Sequence, residues 1–211
     1  MLPTENVDFA ANFIGLYPSY GNVTTIATEY TQLRSFEINL RADASPVITL
    51  LAGYRHIDLN ERIFAESFSS VGFPNNRFSI QAFNHLDGFQ LGSEAVLWRP
   101  GGGRFRLEGS AKVGLFGDAT SNYGTFDGGV ATATDAHVAF MTEWGITGVV
   151  QITSHLAARV GYQGLLLDGV ALASEQIGAL SPTLPVLPGA TTVNSGTPIY
   201  HGLVANLEYS W

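Results

Sequence analysis

Period-two alternation runs through most of this chain and restricts it to strands with one oily face and one wet face. The closing stretch YHGLVANLEYSW carries Leu203, Ala205, Leu207, Tyr209 and Trp211 on one side, with Gly202, Val204, Asn206, Glu208 and Ser210 between them. In RFRLEGSAKVGLFG, Phe105, Leu107, Ala111, Val113 and Leu115 share a side, and Arg106, Glu108, Ser110 and Lys112 share the other. TEWGITGVVQI sets Trp144, Ile146, Val150 and Ile152 against Glu143, Thr147 and Gln151, and SFEINLR sets Phe36, Ile38 and Leu40 against Glu37, Asn39 and Arg41.

Reading this period along the chain predicts about eight strands, roughly 7–16, 29–41, 47–59, 78–97, 104–117, 136–152, 157–170 and 199–211. The connections between them alternate in length. Tight ones fall at 42–46, 99–103 and 153–156, and long ones at 17–28, 60–77, 118–135 and 171–198. The expected fold is all-β, an antiparallel up-and-down barrel in one domain spanning residues 1–211, with short turns at one end and long loops at the other.

Composition narrows the medium. Charged residues are 13% of the chain, against roughly 25% in soluble domains, while hydrophobic residues are 45%. The apolar runs VITLLAG and GLLLDGVALA are too short for a membrane helix. A net charge of −8 argues against nucleic acid as a partner. With no cysteine there is neither a disulfide framework nor a thiolate metal site. MLPTENVDF shows no basic segment followed by an apolar one, so an exported protein of this sequence is expected to be a mature or truncated chain.

Alternation alone does not say which face points inward, since a soluble barrel has an oily interior and a membrane barrel an oily exterior. Three features favour the membrane order. Gly88, Gly92, Gly114, Gly145, Gly161 and Gly202 fall on the charged faces, where they leave room for bulky ionic side chains in a narrow interior. The strand charges are few and nearly balanced, with a single lysine in the chain. Trp98, Tyr209 and Trp211 stand near strand ends, as in an interfacial girdle. The expected interior is a charge network of Glu37, Arg55, Glu94, Arg106, Glu108, Lys112, Glu143, Arg159 and Glu208, paired and filling most of an eight-stranded lumen.

The blocks SFEINLR, TLLAGYRHIDLNE, NHLDGFQLG, AKVGLFG, ARVGYQGLLLDGVALASEQI and YHGLVANLEYSW resemble a family of outer-membrane β-barrel porins described mainly from planctomycete genomes, β-barrel porin family seven. The resemblance spans roughly residues 35–211, and LLLDGVALA is its most specific part. It implies an outer-membrane barrel and brings no catalytic residues. Members of that family are longer at the N-terminus and begin with a signal peptide, features this sequence lacks.

Other constellations carry less chemistry. His85 and Asp87 share a strand face at a spacing open to a metal or a catalytic pair, but nothing of metal-site spacing accompanies them, and a hydrogen bond at a loop end is the simpler expectation. Glu66, Ser67, Ser69 and Ser70 cluster in an expected loop without a nucleophile motif. DATSNYGTFDGG, with Asp118 and Asp127, lacks the spacing of a calcium loop. The proline-rich 180–198 is expected to fold over the barrel mouth or meet another surface component. Neither an enzyme nor a cofactor is expected. The leading expectation is a structural, surface or porin-like barrel in the bacterial outer membrane, with lipids, small solutes and the barrel assembly machinery as partners. The assembly machinery would read the terminal Leu207, Tyr209 and Trp211. The alternatives are a soluble exported barrel binding an apolar ligand and an outer-membrane enzyme.

Overall fold

Side chains that alternate in polarity can meet two media at once only on an extended backbone, and long runs of such alternation here each fold as one strand. The computed structural model describes residues 9–16, 22–69, 76–101, 104–126, 129–180 and 191–209. Its strands are β1 (Phe9–Leu16), β2 (Asn22–Ser45), β3 (Ile48–Ser69), β4 (Asn76–Trp98), β5 (Phe105–Phe126), β6 (Gly129–Gln151), β7 (Leu156–Asp168) and β8 (Ile199–Tyr209), with a five-residue helix α1 (Gln176–Leu180) before β8. Each strand pairs antiparallel with the next, so the sheet order is the chain order.

The sheet is strongly curled, a half-barrel. Arg55 on β3 lies 2.5 Å from Glu143 on β6, although three strand spacings in a flat sheet would hold them about 14 Å apart. Tyr200 on β8 reaches Glu61 on β3 in the same way, at 3.5 Å. Among the described residues no backbone pairing joins β1 to β8.

The expected long loops are corrected. β3 continues to Ser69, β4 begins at Asn76, β5 runs to Phe126 and β6 begins at Gly129, so most of 60–77 and 118–135 is strand. β2 likewise starts at Asn22 rather than at residue 29. Among the described residues, the one long connection left is 169–198, between β7 and β8. On β3 and β4 the physical reason is a change of phase within the strand; on β5 the buried inward run of Asp118, Thr120 and Asn122 is itself polar. On β4 the outward residues are Phe89, Leu91 and Leu97 in one half, all more than half exposed, and Arg77, Gln81, His85 and Asp87 in the other. The inward residues change the opposite way, from Glu94 and Gln90 to Leu86, Ala82 and Ile80. On β3 the outward Leu50 and Tyr54 give way to His56, Asp58, Asn60 and Arg62, opposite an inward Ile57, Leu59 and Ile63. Outward residues such as Asn60, Arg62 and Glu66 resemble a loop in sequence, yet they stand on the mostly wet face of a continuing strand.

The concave side is therefore layered. Nearest the tight turns lie the charged side chains. Above them Ile57, Leu59, Leu86, Phe116, Ala139, Met141, Leu165 and Leu167 close into an apolar cluster with Val170. Gly88 makes room for this layer: a Cβ there would stand 2.7 Å from the Phe116 ring and 2.2 Å from the Leu115 carbonyl oxygen.

The third layer is supplied by the β7–β8 connection, which turns inward at Gly169 with a positive φ of 81°. Val170, Ala171 and Ala173 are fully buried, and Ala171, Ala173 and Leu180 pack against Ile63, Ile80, Ala82 and Ala133. A buried connection brings backbone polar groups with it, and each needs a partner. Asn84 supplies two: its Nδ2 donates to the Ala171 carbonyl at 2.8 Å, and its Oδ1 accepts from the Ala171 N–H at 2.7 Å. Glu61 accepts from the Ala173 N–H at 3.2 Å. Gln176, fully buried, ties the two arms together by donating to the Val193 carbonyl at 2.6 Å and accepting from its N–H at 3.1 Å. Residues 169–180 thus fill the curl from within; what is described of 180–198 continues from this inserted segment, and 181–190 lie outside the described residues.

Asn84→Leu keeps the volume and strands both Ala171 backbone groups. It should lower stability by on the order of 3 kcal/mol, read as a drop in Tm, and should expose 169–180 to limited proteolysis.

Candidate functional site

The charged half of the concave face is built from cross-strand pairs. Glu37 stands opposite Arg55 in the β2–β3 register, and Lys112 opposite Glu143 in the β5–β6 register. The curl brings the two pairs face to face, and the four groups close into a ring of alternating charge. Arg55 Nη1 lies 2.5 Å from Glu143 and 3.5 Å from Glu37; Lys112 Nζ lies 2.8 Å from Glu37 and 3.0 Å from Glu143. Arg55 is 3% exposed, so it depends on these partners and on Ser35 Oγ, to which its Nε donates at 2.8 Å. Gln90 Nε2 donates to Glu37 and Asn39 at 2.7 and 2.8 Å.

A second, linear group lies nearer the turns. Arg106 Nε meets Glu108 at 2.5 Å, Arg159 meets Glu108 at 2.6 Å, and Arg159 meets Glu208 at 2.8 Å. Glu94 belongs to neither group and pairs with Arg41, whose Nη1 donates to it at 3.3 Å. All nine residues singled out from the sequence are therefore ion-paired, in two clusters and one separate bridge. Arg41, Ser35 and Gln90 complete them. Their signal was present in the alternation, since Arg41 shares the parity of Glu37.

The remaining sequence candidates disperse. His85 and Asp87 do not pair with each other: His85 Nδ1 lies 2.6 Å from Asp58, and Asp87 lies 2.8 Å from His56 Nδ1 and accepts from Tyr54 Oη. All five side chains stand on the convex face, where its outward residues turn from apolar to polar. Among the described residues no group of His, Cys, Asp and Glu is arranged to hold a metal. Asp118 is on β5, not in a loop; it is 2% exposed and 3.5 Å from His137 Nε2. Asp127 and Ser70 lie outside the described residues. Ser67 and Ser69 are strand residues, and Glu66 pairs with Arg77 at 2.7 Å. Leu207 and Tyr209 are exposed on β8, at 71% and 64%, while Trp211 lies outside the described residues. Trp98 is exposed and packs edge-on against Phe105 with ring centroids 5.7 Å apart.

Sequence reasoning missed the groups that hold the β7–β8 connection: Glu61 and Asn84 on residues 171–173, and Asn122, whose Nδ2 donates to Thr192 Oγ1 at 3.2 Å. For Glu61 and Asn84, an isolated polar residue on an otherwise apolar inward run was the available sign. Burial pushes the Glu61 carboxyl up to about 7, against the opposing hydrogen bond from Ala173. Burial likewise raises Asp118 to about 6, with His137 pulling the other way.

Glu143→Gln leaves the buried Arg55 guanidinium with Ser35 and, as carboxylate, the more distant Glu37, and should cost on the order of 3 kcal/mol, whereas Glu94→Gln, facing the half-exposed Arg41, should cost under about 1 kcal/mol; chemical denaturation of both variants gives the comparison. Because Glu61 titrates higher in the folded chain than in the unfolded one, the folded state binds the extra proton between pH 4.5 and about 7, and stability falls as pH rises through that window. Glu61→Gln should therefore raise stability at pH 8 by on the order of 2 kcal/mol and leave it nearly unchanged at pH 4, as read from Tm against pH.

Compared with known proteins, the chain matches no family model, no curated protein and no solved structure.

Proposed function

We propose that this chain is a small β-barrel of the bacterial outer membrane, closed by β1 against β8. Its work would be structural or surface-exposed, with a charge-paired and internally plugged lumen. The observation that carries this reading is the band of uncovered apolar side chains on the convex face. Leu40 is 79% exposed, Phe89 77% and Leu203 81%, and opposite this band the concave face is ionic. The band runs over 89–97 on β4 and 105–115 on β5, close to the roughly 9–11 residues a tilted strand needs to cross a bilayer.

In this reading the tight turns face the periplasm, and the polar-faced strand halves stand beyond the membrane with the 169–180 segment inside them. The resemblance to planctomycete outer-membrane porins points the same way. Conduction is not the favoured activity. An apolar layer and an inserted segment lie in series with the ionic ring, and a lumen of about eight strands is one that side chains fill. A soluble carrier for an apolar ligand would need an oily cavity, whereas the oily half of this interior is occupied by its own chain. No catalytic group is assigned. Membrane lipids are the main partner, and Leu207 and Tyr209 on the edge strand β8 suit recognition by the assembly machinery together with Trp211.

In nanodiscs containing brominated lipid, the fluorescence of the band residue Trp144 should be quenched, and unheated protein should migrate faster on a denaturing gel than boiled protein. Planar bilayers should show no conductance above background. A chain that stays soluble and monomeric without detergent would sink the membrane reading, and steady single-channel conductance would replace the plugged barrel with a pore.

A further inference from the structure

Inner-face cations are matched one for one with carboxylates up to the turn end, and there the balance breaks. A cavity of about 510 Å³ opens between the β4–β5 turn and the β6–β7 turn, lined by Arg99, Arg104, Arg106, Gln151, Ser154 and Glu208 among others. Arg106 is engaged by Glu108, and Glu208 by Arg159. Arg99 and Arg104 have no carboxylate partner among the described residues. Four guanidiniums thus share two carboxylates at this mouth, in a chain whose net charge is −8. Local positive charge in so acidic a chain is not a by-product of composition.

We propose that this vestibule is a binding site for a small polyvalent oxyanion, a molecule carrying two or more phosphate or carboxylate groups. The guanidinium fork matches such groups with two parallel hydrogen bonds. Arg99 and Arg104 are exposed and uncommitted, so they can turn to a ligand without breaking an internal pair. Arg106 lines the same cavity, and Ser154 adds a hydroxyl, while the Gln151 amide beside them is held by the Thr153 and Leu156 carbonyls at 2.8 and 3.5 Å. The cavity volume admits a ligand well above the size of a single phosphate. The inference does not depend on what covers the convex face, because the cavity opens on the concave side. The shared chemistry has two sources: a free oxyanion, or the phosphate of a lipid headgroup at the adjacent rim.

The test uses the full chain in uncharged detergent, titrated with inorganic pyrophosphate by calorimetry, beside nanodiscs with and without phosphatidylglycerol. Pyrophosphate binding in detergent that weakens at least tenfold in R99Q/R104Q, partly survives in R99K/R104K, and is unchanged in R62Q supports a site for free oxyanions. Pyrophosphate binding abolished by phosphatidylglycerol, with the same dependence on Arg99 and Arg104, supports the site and assigns it to headgroups. No pyrophosphate binding by the wild type, or binding equally strong in R99Q/R104Q, overturns the proposal. Matching Tm values for the variants and the wild type show that lost binding is not lost folding.

Discussion

A strand with a period of two ties the chemistry of its two faces together at every height, and the layers of this molecule follow from that tie. Where the convex face is apolar, the inward positions carry Glu37, Arg55, Lys112 and Glu143; where it turns polar at His56 and Asp87, they become Ile57 and Leu86. On β3 and β4 the reversal occurs within single strands of 22 and 23 residues, with no turn to mark it. Each half must then fill its interior by its own means. The ionic half does so with paired charges, and the apolar half with a segment of its own chain.

The two solutions differ in what they demand. Ionic side chains removed from water need partners close at hand, and cross-strand neighbours supply half of the ring's contacts by register alone. The other half requires curvature, because Arg55 and Glu143 are three strands apart. The inserted segment demands hydrogen bonds instead, since its backbone enters an apolar space. Asn84, Glu61 and Gln176 meet that demand from both sides, and the price is a carboxylate held away from water, whose raised pKa records the strain of leaving Glu61 charged there.

Much of this is legible in the amino-acid sequence. The face assignment for 105–115 and 143–152 needed only alternation, and the membership of the charge network followed from parity and composition. The loops were not legible, because polar residues on the wet face of β3 and β5 look the same as polar residues in a turn. On β3 the inward Ile63 and Ala65 kept the period of two with the polarity of the two faces exchanged, while on β5 the inward Asp118, Thr120 and Asn122 are polar themselves. Nor was the destination of 169–180 legible, since LLLDGVALA reads as a strand until Gly169 reverses the backbone.

Local geometry and composition, both carried by the sequence, settled that strands would form, which side chains would share a face, and that strand charge would be scarce and nearly balanced. Tertiary structure alone decided that Glu37, Arg55, Lys112 and Glu143 would close one ring, and that the β7–β8 connection would enter the curl. Both depend on the radius of curvature of the whole sheet, a property of strands packed together and not of any one of them.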